Sequence, residues 1–286
     1  MGKKPEMMKN KVKDESEMKT KEKSLRIVFC FVLLFASGFA GNIFAQDKMK
    51  EAAIVKGEKY EYGKKRQHFV RRLADAVKEN GYTPDLVGMD IFFEVNKKEC
   101  ASYKRILVPC TVTALTPEMH EGMTEYVKNG GLLILNRLPA VIDTNNNYKF
   151  DKEDRRLGRK GFDLIGVYSN STVNIAKLKV SSLTPITEGL PLDEWLPLSP
   201  SAKGQAAIIR NTETIQLIAA HLTENAKGRY RMDQPFLTYK RTGNGACIYV
   251  VPFIYWAKTP SEHLKTVFKN VMSEKTLEWL TTQPEP

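Results

Sequence analysis

Arg105-Ile106-Leu107-Val108-Pro109, Thr116-Pro117-Glu118-Met119 and Asn129-Gly130-Gly131-Leu132-Leu133-Ile134-Leu135 follow one another along the chain, and their order decides the fold. The first run is continuously apolar, which suits a strand covered on both faces. Thr116 has the side chain to cap the free amides of a helix, Pro117 tolerates the first helical position, and Glu118 sits near the positive dipole end. The helix is expected to run to Lys128 and to stop at Asn129-Gly130-Gly131, where glycine accepts a left-handed conformation. Leu132–Leu135 then reads as a second covered strand.

Towards the N-terminus the same alternation continues. Ala52-Ala53-Ile54-Val55 is a short buried strand, followed by a polar loop from Lys56 to Gly63. Residues 64–79 have helical spacing, with Phe69, Leu73, Ala76 and Val77 on one face, and Asn80-Gly81 ends that helix. Leu86-Val87-Gly88-Met89 is a further strand. Strands separated by helical crossovers imply an α/β, doubly wound and mostly parallel sheet of flavodoxin-like type. Towards the C-terminus the pattern changes. Val173 to Val180 and Phe236 to Arg241 alternate apolar and polar residues, and Thr242-Gly243-Asn244-Gly245 joins the latter to Ala246–Val251 as a hairpin. An amphipathic helix from Ser261 to about Leu280 closes the chain, with Leu264, Val267, Phe268, Val271 and Leu277 on its apolar face. One domain over 46–286 accommodates these elements without internal repeats.

The segment before it has another character. A charged lead, Lys3 to Lys23, precedes the apolar run Ile27–Phe35 and the small-residue end Ala36–Ala40. This is the layout of a secretory signal, and the run is shorter than the roughly 20 residues that span a bilayer. Cleavage after Ala45 is expected, which makes the chain exported, periplasmic or extracellular; an uncleaved signal would instead anchor it to the membrane. The long lead also allows Met18 as the true start. The net charge of +11 falls to +7 for residues 46–286, 35 Lys and Arg against 28 Asp and Glu, and is spread there without a dense basic tract, which argues against a nucleic-acid partner. Cys100, Cys110 and Cys247 remain after cleavage, an odd number that excludes a complete disulfide framework but leaves one bridge possible.

Tyr103 to Asn136 resembles the class I glutamine amidotransferase-like superfamily, and within it the non-catalytic β-galactosidase trimerisation domain and ThuA-like proteins. The resemblance rests on Arg105–Pro109, on Glu118–Lys128 and on Gly130–Leu135, with Pro185-Ile186-Thr187-Glu188-Gly189-Leu190 and the Gly243-Asn244-Gly245 hairpin fitting later. It implies the fold. Catalytic members carry a nucleophilic Cys in a Gly-x-Cys-x-Gly elbow, whereas the turn here reads Asn136-Arg137-Leu138-Pro139. Cys110 follows a strand without elbow glycines, and no His-x-Glu pair follows later, since Glu262-His263 begins the last helix. No catalytic residue is therefore assigned.

Two polar regions remain as candidate sites. Asp143-Thr144-Asn145-Asn146-Asn147-Tyr148-Lys149-Phe150-Asp151-Lys152-Glu153-Asp154 has the spacing of a calcium loop, with ligands expected from Asp143, Asn145, Asn147, the Lys149 carbonyl, Asp151 and Asp154. Tyr148 stands where that loop usually has glycine, and Asp154 is shorter than the usual Glu. Calcium is the only cofactor this suggests. Glu58, Tyr60, Glu61, Tyr62 and Asp90 follow strands at the sheet's carboxyl edge, where doubly wound folds bind ligands, and could meet a carbohydrate or another small molecule. The reading that results is an exported, non-catalytic amidotransferase-like module in carbohydrate recognition or assembly. A hydrolase using Glu58 and Asp90 is the alternative. His68, His120 and His221 read as surface or satisfied histidines, and Trp195 and Trp256 as covers of the sheet edge.

Overall fold

The structure is a computed structural model that describes residues 50–282, apart from 60, 113, 140, 149–151, 153–154, 157–161, 223–233 and 251–260. The expected signal, and the charged lead with Met18, lie outside the described residues.

Strands β1 (Lys50–Val55), β2 (Asp85–Val87), β3 (Tyr103–Val108) and β5 (Leu132–Leu135) form where the apolar runs predict them. They are parallel to one another and to β12 (Gly245–Val250). Ile54, Val55, Leu107, Val108, Leu133 and Ile134 are all fully buried, as strands covered on both faces require. Beyond β12 the sheet continues antiparallel through β11 (Gln234–Thr242), β10 (Ile215–Leu222), β8 (Val167–Val180) and β9 (Trp195–Ile209). The nine-stranded order is β2-β1-β3-β5-β12-β11-β10-β8-β9. A small second sheet pairs β4 (Ala114–Leu115), β6 (Val141–Ile142) and β7 (Arg155–Arg156). The doubly wound α/β arrangement is thus present, with the antiparallel strands appended to its parallel run.

The helices are α1 (Glu61–Lys65), α2 (Gln67–Glu79), α3 (Lys97–Cys100), α4 (Pro117–Lys128), α5 (Glu262–Met272) and α6 (Glu274–Thr282). Helix α4 starts as its sequence dictates, with the Thr116 side chain accepting from Met119 N at 3.3 Å. Its end is turned by Gly130 at φ +105°. Three expectations need correction. The polar loop after β1 is shorter than Lys56 to Gly63, because α1 begins at Glu61. The strand at Leu86–Met89 is Asp85–Val87, and Met89 opens a 3-10 turn to Phe92. The closing helix is two helices. Ser273 is extended at φ −68°, ψ 150°, and its hydroxyl accepts from Thr276 N at 3.1 Å, so it caps a new helix rather than continuing the old one.

The amino edge of the sheet is held by charge. Arg105 on β3 is fully buried; its guanidinium donates to the Glu51 carboxylate at 3.2 Å and to Glu274 of α6, and stacks over Tyr82 at 4.8 Å. Lys104 adds a 2.8 Å bond to Glu51. Lys50 reaches Asp85 at 2.9 Å and donates to the Tyr103 hydroxyl, which itself donates to Asp85 at 2.8 Å. The Lys104 bond holds the Glu51 carboxyl below its ordinary value, and the Lys50 and Tyr103 bonds do the same for Asp85.

Candidate functional site

Each parallel strand delivers a loop to the opposite, carboxyl edge. After β1 the chain turns through Lys56-Gly57-Glu58-Lys59, with Lys56 N donating to Val87 O at 2.8 Å. A Cβ on Gly57 would stand 2.6 Å from the Thr111 carbonyl oxygen in the loop after β3, and one on Gly63 would overlap the Gly57 carbonyl. The loop after β1 is thus pressed between the loop after β3 and helix α1, so closely that only glycine fits at both positions.

The sequence candidates are placed as follows. Glu58 is exposed and lies 3.5 Å from Lys56. Tyr60 lies outside the described residues, and Glu61 and Tyr62 form the first turn of α1. Asp90 sits in the 3-10 turn after β2, where its carboxylate packs against Gly88 and its carbonyl accepts from Asn96 Nδ2 at 2.8 Å. The ammonium of Lys59, next to Glu58, lies over Phe93 at 5.2 Å and over Tyr148 at 5.0 Å, and donates to the Tyr148 hydroxyl at 3.3 Å. The loop after β1 and the loop beginning at Asp143 are therefore neighbours, which their separation in sequence did not announce.

Asp143 itself is fully buried. Its carboxylate accepts from Asn147 N at 3.2 Å and from Tyr148 N at 2.8 Å, so the loop folds back over it. Asn146 at φ 56° and Tyr148 at φ 58° make the turn. Tyr148 adopts the left-handed conformation that glycine would take more easily, at a cost of about 1 kcal/mol. Asn145 and Asn147 flank this turn on the surface. Lys149, Asp151 and Asp154 lie outside the described residues. Among the described residues no group of three or more His, Cys, Asp and Glu side chains is placed to hold a metal ion.

The position of the catalytic elbow follows β5. Asn136 N continues the ladder to Val108 O at 3.0 Å; the Asn136 side chain is 3% exposed and its Oδ1 has no hydrogen-bond partner. Arg137 is half-buried and Leu138 is buried. Cys100, Cys110 and Cys247 are buried and none is in a disulfide. Burial pushes the Cys100 thiol up to about 12 and raises that of Cys247 as well, which keeps both protonated and poorly nucleophilic. The histidines are packed against rings: His68 on Phe69, His120 edge-on to Phe162, and His221 edge-on to Trp195 of the edge strand β9. Trp256 lies outside the described residues.

Sequence reasoning missed a set of buried hydroxyls at this end of the sheet. Val108, Leu135, Tyr249 and Thr238 are successive cross-strand partners, so their side chains share one face. The Tyr249 and Thr238 hydroxyls are buried without a hydrogen-bond partner, as is that of Thr111. The available signal was a hydroxyl at mid-strand in otherwise covered runs, Leu237-Thr238-Tyr239 and Ile248-Tyr249-Val250.

No family model matches the sequence, and no curated protein matches it. Solved structures do match in fold. A β-galactosidase from Bacillus circulans sp. alkalophilus superposes with a TM-score of 0.53 at 13% identity, over 79% of this chain and 31% of that one. The cold-adapted β-galactosidase from Rahnella sp. R3 gives 0.52 at 12% identity, over 80% and 31%. A ThuA-like protein from Bacteroides uniformis gives 0.47 at 11% identity, over 78% and 90%. The resemblance read from residues 103–136 is met at the level of fold, which is glutamine amidotransferase-like. The chain spans 31% of the length of these β-galactosidases, less than a third of either.

Proposed function

We propose that this chain is an exported, non-catalytic amidotransferase-like module that binds a carbohydrate or another small polar molecule at the carboxyl edge of its sheet. The observation that carries this reading is the elbow position, where Asn136-Arg137 replaces a nucleophile on an intact strand and ladder. A nucleophile needs a base and an oxyanion site within reach, and buried, protonated thiols supply none of that set. The polar, aromatic loops after β1 and β2 then serve for binding, with Lys59, Phe93 and Tyr148 as the ordered surface. Export rests on the layout of residues 1–45. The purified chain is expected to retain members of an immobilised glycan panel while showing no glutaminase or glycosidase turnover. Turnover that is lost on replacing Glu58 or Asp90 would refute the non-catalytic reading in favour of the hydrolase.

Calcium in the Asp143–Asp154 loop is part of this proposal. The left-handed Tyr148 supports it, since that conformation is the one the loop's usual glycine provides, and so does the buried Asp143 carboxylate at the loop's first position. Asp143, Asn145, Asn147, the Lys149 carbonyl, Asp151 and Asp154 would hold the ion, with the weak affinity typical of extracellular modules. Thermal unfolding in millimolar calcium is expected at a higher midpoint than in chelator. An unchanged midpoint removes the metal from the account.

A further inference from the structure

The antiparallel strands carry a second exposed surface, at the other end of the nine-stranded order from β1 and β2. Leu178 pairs with Leu196 across β8 and β9, and with Val180 and Leu198 they turn one face of these strands into the core. The alternate residues share the opposite face, where Lys179 is the partner of Trp195 and Lys177 the partner of both Pro197 and His221. Lys177 and Pro197 are exposed there, and Lys179, Trp195 and His221 are half-buried. The His221 imidazole stands edge-on to the indole, with ring centroids 5.5 Å apart, and the Lys179 ammonium lies 5.9 Å from the indole centroid. Lys179 in turn meets the Asp193 carboxylate at 3.5 Å. Asp193 is held there by a strained turn. Its φ is +60°, its N–H donates to the Val180 carbonyl at 3.0 Å, and Leu192 bridges to the same residue. The Asp193 side chain is 70% exposed, and an ion pair so open to water contributes too little to stability to offset that backbone. Strain of this kind gathers where a side chain is positioned for binding.

We propose that Trp195, with Lys179, Asp193 and His221 around it, is a binding site for a neutral oligosaccharide. A pyranose has an apolar face of C–H groups and a rim of hydroxyls that call for donors and acceptors together. The indole gives the apolar face a flat, rigid platform. At its rim Lys179 donates and Asp193 accepts, side by side, which matches two neighbouring hydroxyls, and hydrogen bonds to charged groups are the stronger kind. Because the ammonium and the carboxylate balance each other beside the ring, the surface suits a neutral sugar better than an anionic one. Lys177 and Pro197, the next pair along the strands, extend the platform by about 7 Å, so a chain of sugars fits it better than a single one. This surface shares no residue with the loops of the carboxyl edge and does not depend on their reading.

The test titrates the full chain with soluble galacto-, xylo- and gluco-configured oligosaccharides, and with an oligogalacturonate, and follows tryptophan fluorescence. At least one neutral oligosaccharide is expected to give a saturable change, and the uronate none. Trp195→Ala should abolish the response, whereas Trp195→Tyr keeps an aromatic platform and should still bind when followed by titration calorimetry. Lys179→Met keeps the side-chain stem and removes the charge; it is expected to fold like the parent and to weaken binding about tenfold, the loss of one hydrogen bond to a charged group. The proposal fails if no neutral oligosaccharide saturates, if only the uronate binds, or if Lys179→Met binds as tightly as the parent. Binding that survives Trp195→Ala but is lost in Lys59→Met belongs to the carboxyl edge, which overturns this proposal and leaves that reading standing.

Discussion

The two edges of the same parallel sheet are built on opposite plans. At the amino edge the charges are paired, Arg105 with Glu51 and Glu274 under Tyr82 and Lys50 with Asp85 and Tyr103, although the Arg105 Nε and the Thr242 hydroxyl there are buried without a hydrogen-bond partner. At the carboxyl edge the hydroxyls of Thr111, Tyr249 and Thr238 and the amide oxygen of Asn136 are buried without partners. Satisfied polar networks fix a fold, whereas unsatisfied ones cost stability unless something external completes them. Unpartnered buried atoms occur at both edges, so the difference lies in the ion pairs: those of the amino edge hold the chain together, and the loops of the carboxyl edge are the part proposed to meet a ligand.

The largest test of that contrast is Arg105→Ala. It removes a fully buried side chain and its hydrogen bonds to two half-exposed carboxylates, and detaches α6 from β3, so a loss of about 2–3 kcal/mol is expected in denaturant unfolding. A loss below about 1 kcal/mol would show that the amino edge is not structural. Gly63→Ala should come next, because its Cβ meets the Gly57 carbonyl and forces α1 away from the loop after β1. A drop of about 1–3 kcal/mol is expected, with greater proteolytic sensitivity near residues 56–65.

Acid should act on the amino edge. Glu51 and Asp85 have folded-state values below their ordinary ones, so each contributes stability above the ordinary value of about 4, lost as pH falls through the lowered one. Both carboxylates are partly exposed, so each effect stays under about 1 kcal/mol. Comparing parent and Glu51→Gln between pH 6 and pH 3 should show less acid loss in the variant; parallel curves would contradict the assignment. The smallest effect belongs to Tyr249→Phe. Removing an unpartnered buried hydroxyl should leave stability unchanged or raise it by up to about 1 kcal/mol. A clear loss would mean that the hydroxyl already has a structural role.

The parallel half was readable because its code is local. Continuous apolar runs, the Thr116 cap and the Gly130 stop each dictate a conformation through a few neighbouring residues, and α4 and β5 form where they say. The antiparallel half was readable only in part: Val173–Val180 and Phe236–Arg241 fall within β8 and β11, whereas β9 and β10 were hidden. Pro197, Pro200 and Gly204 fall inside β9 and argue against a strand, yet β9 is the edge of the sheet, where a missing amide costs nothing. Ile215–Leu222 carries too little alternation to distinguish strand from helix, and only pairing with β8 and β11 makes it a strand. The break at Ser273 was concealed because serine is tolerated within a helix as well as at its start. Of the candidate site, the loops after β1 and β2 were accessible from the rule that ligands gather at carboxyl ends. The neighbourhood of Lys59 and Tyr148, and the adjacency of Thr238 and Tyr249, depend on tertiary pairing that one sequence does not display.

The most direct measurement is backbone amide chemical-shift mapping of the full chain during titration with a soluble neutral oligosaccharide. The expected response is confined to residues 56–59, 110–112 and 136–138 at the carboxyl edge and to residues 177–179, 193–195 and 221 on the antiparallel strands, with residues 50–52 and 103–105 unmoved. Perturbation centred on those last residues, or no saturable perturbation at all, would contradict the division of labour between the two edges.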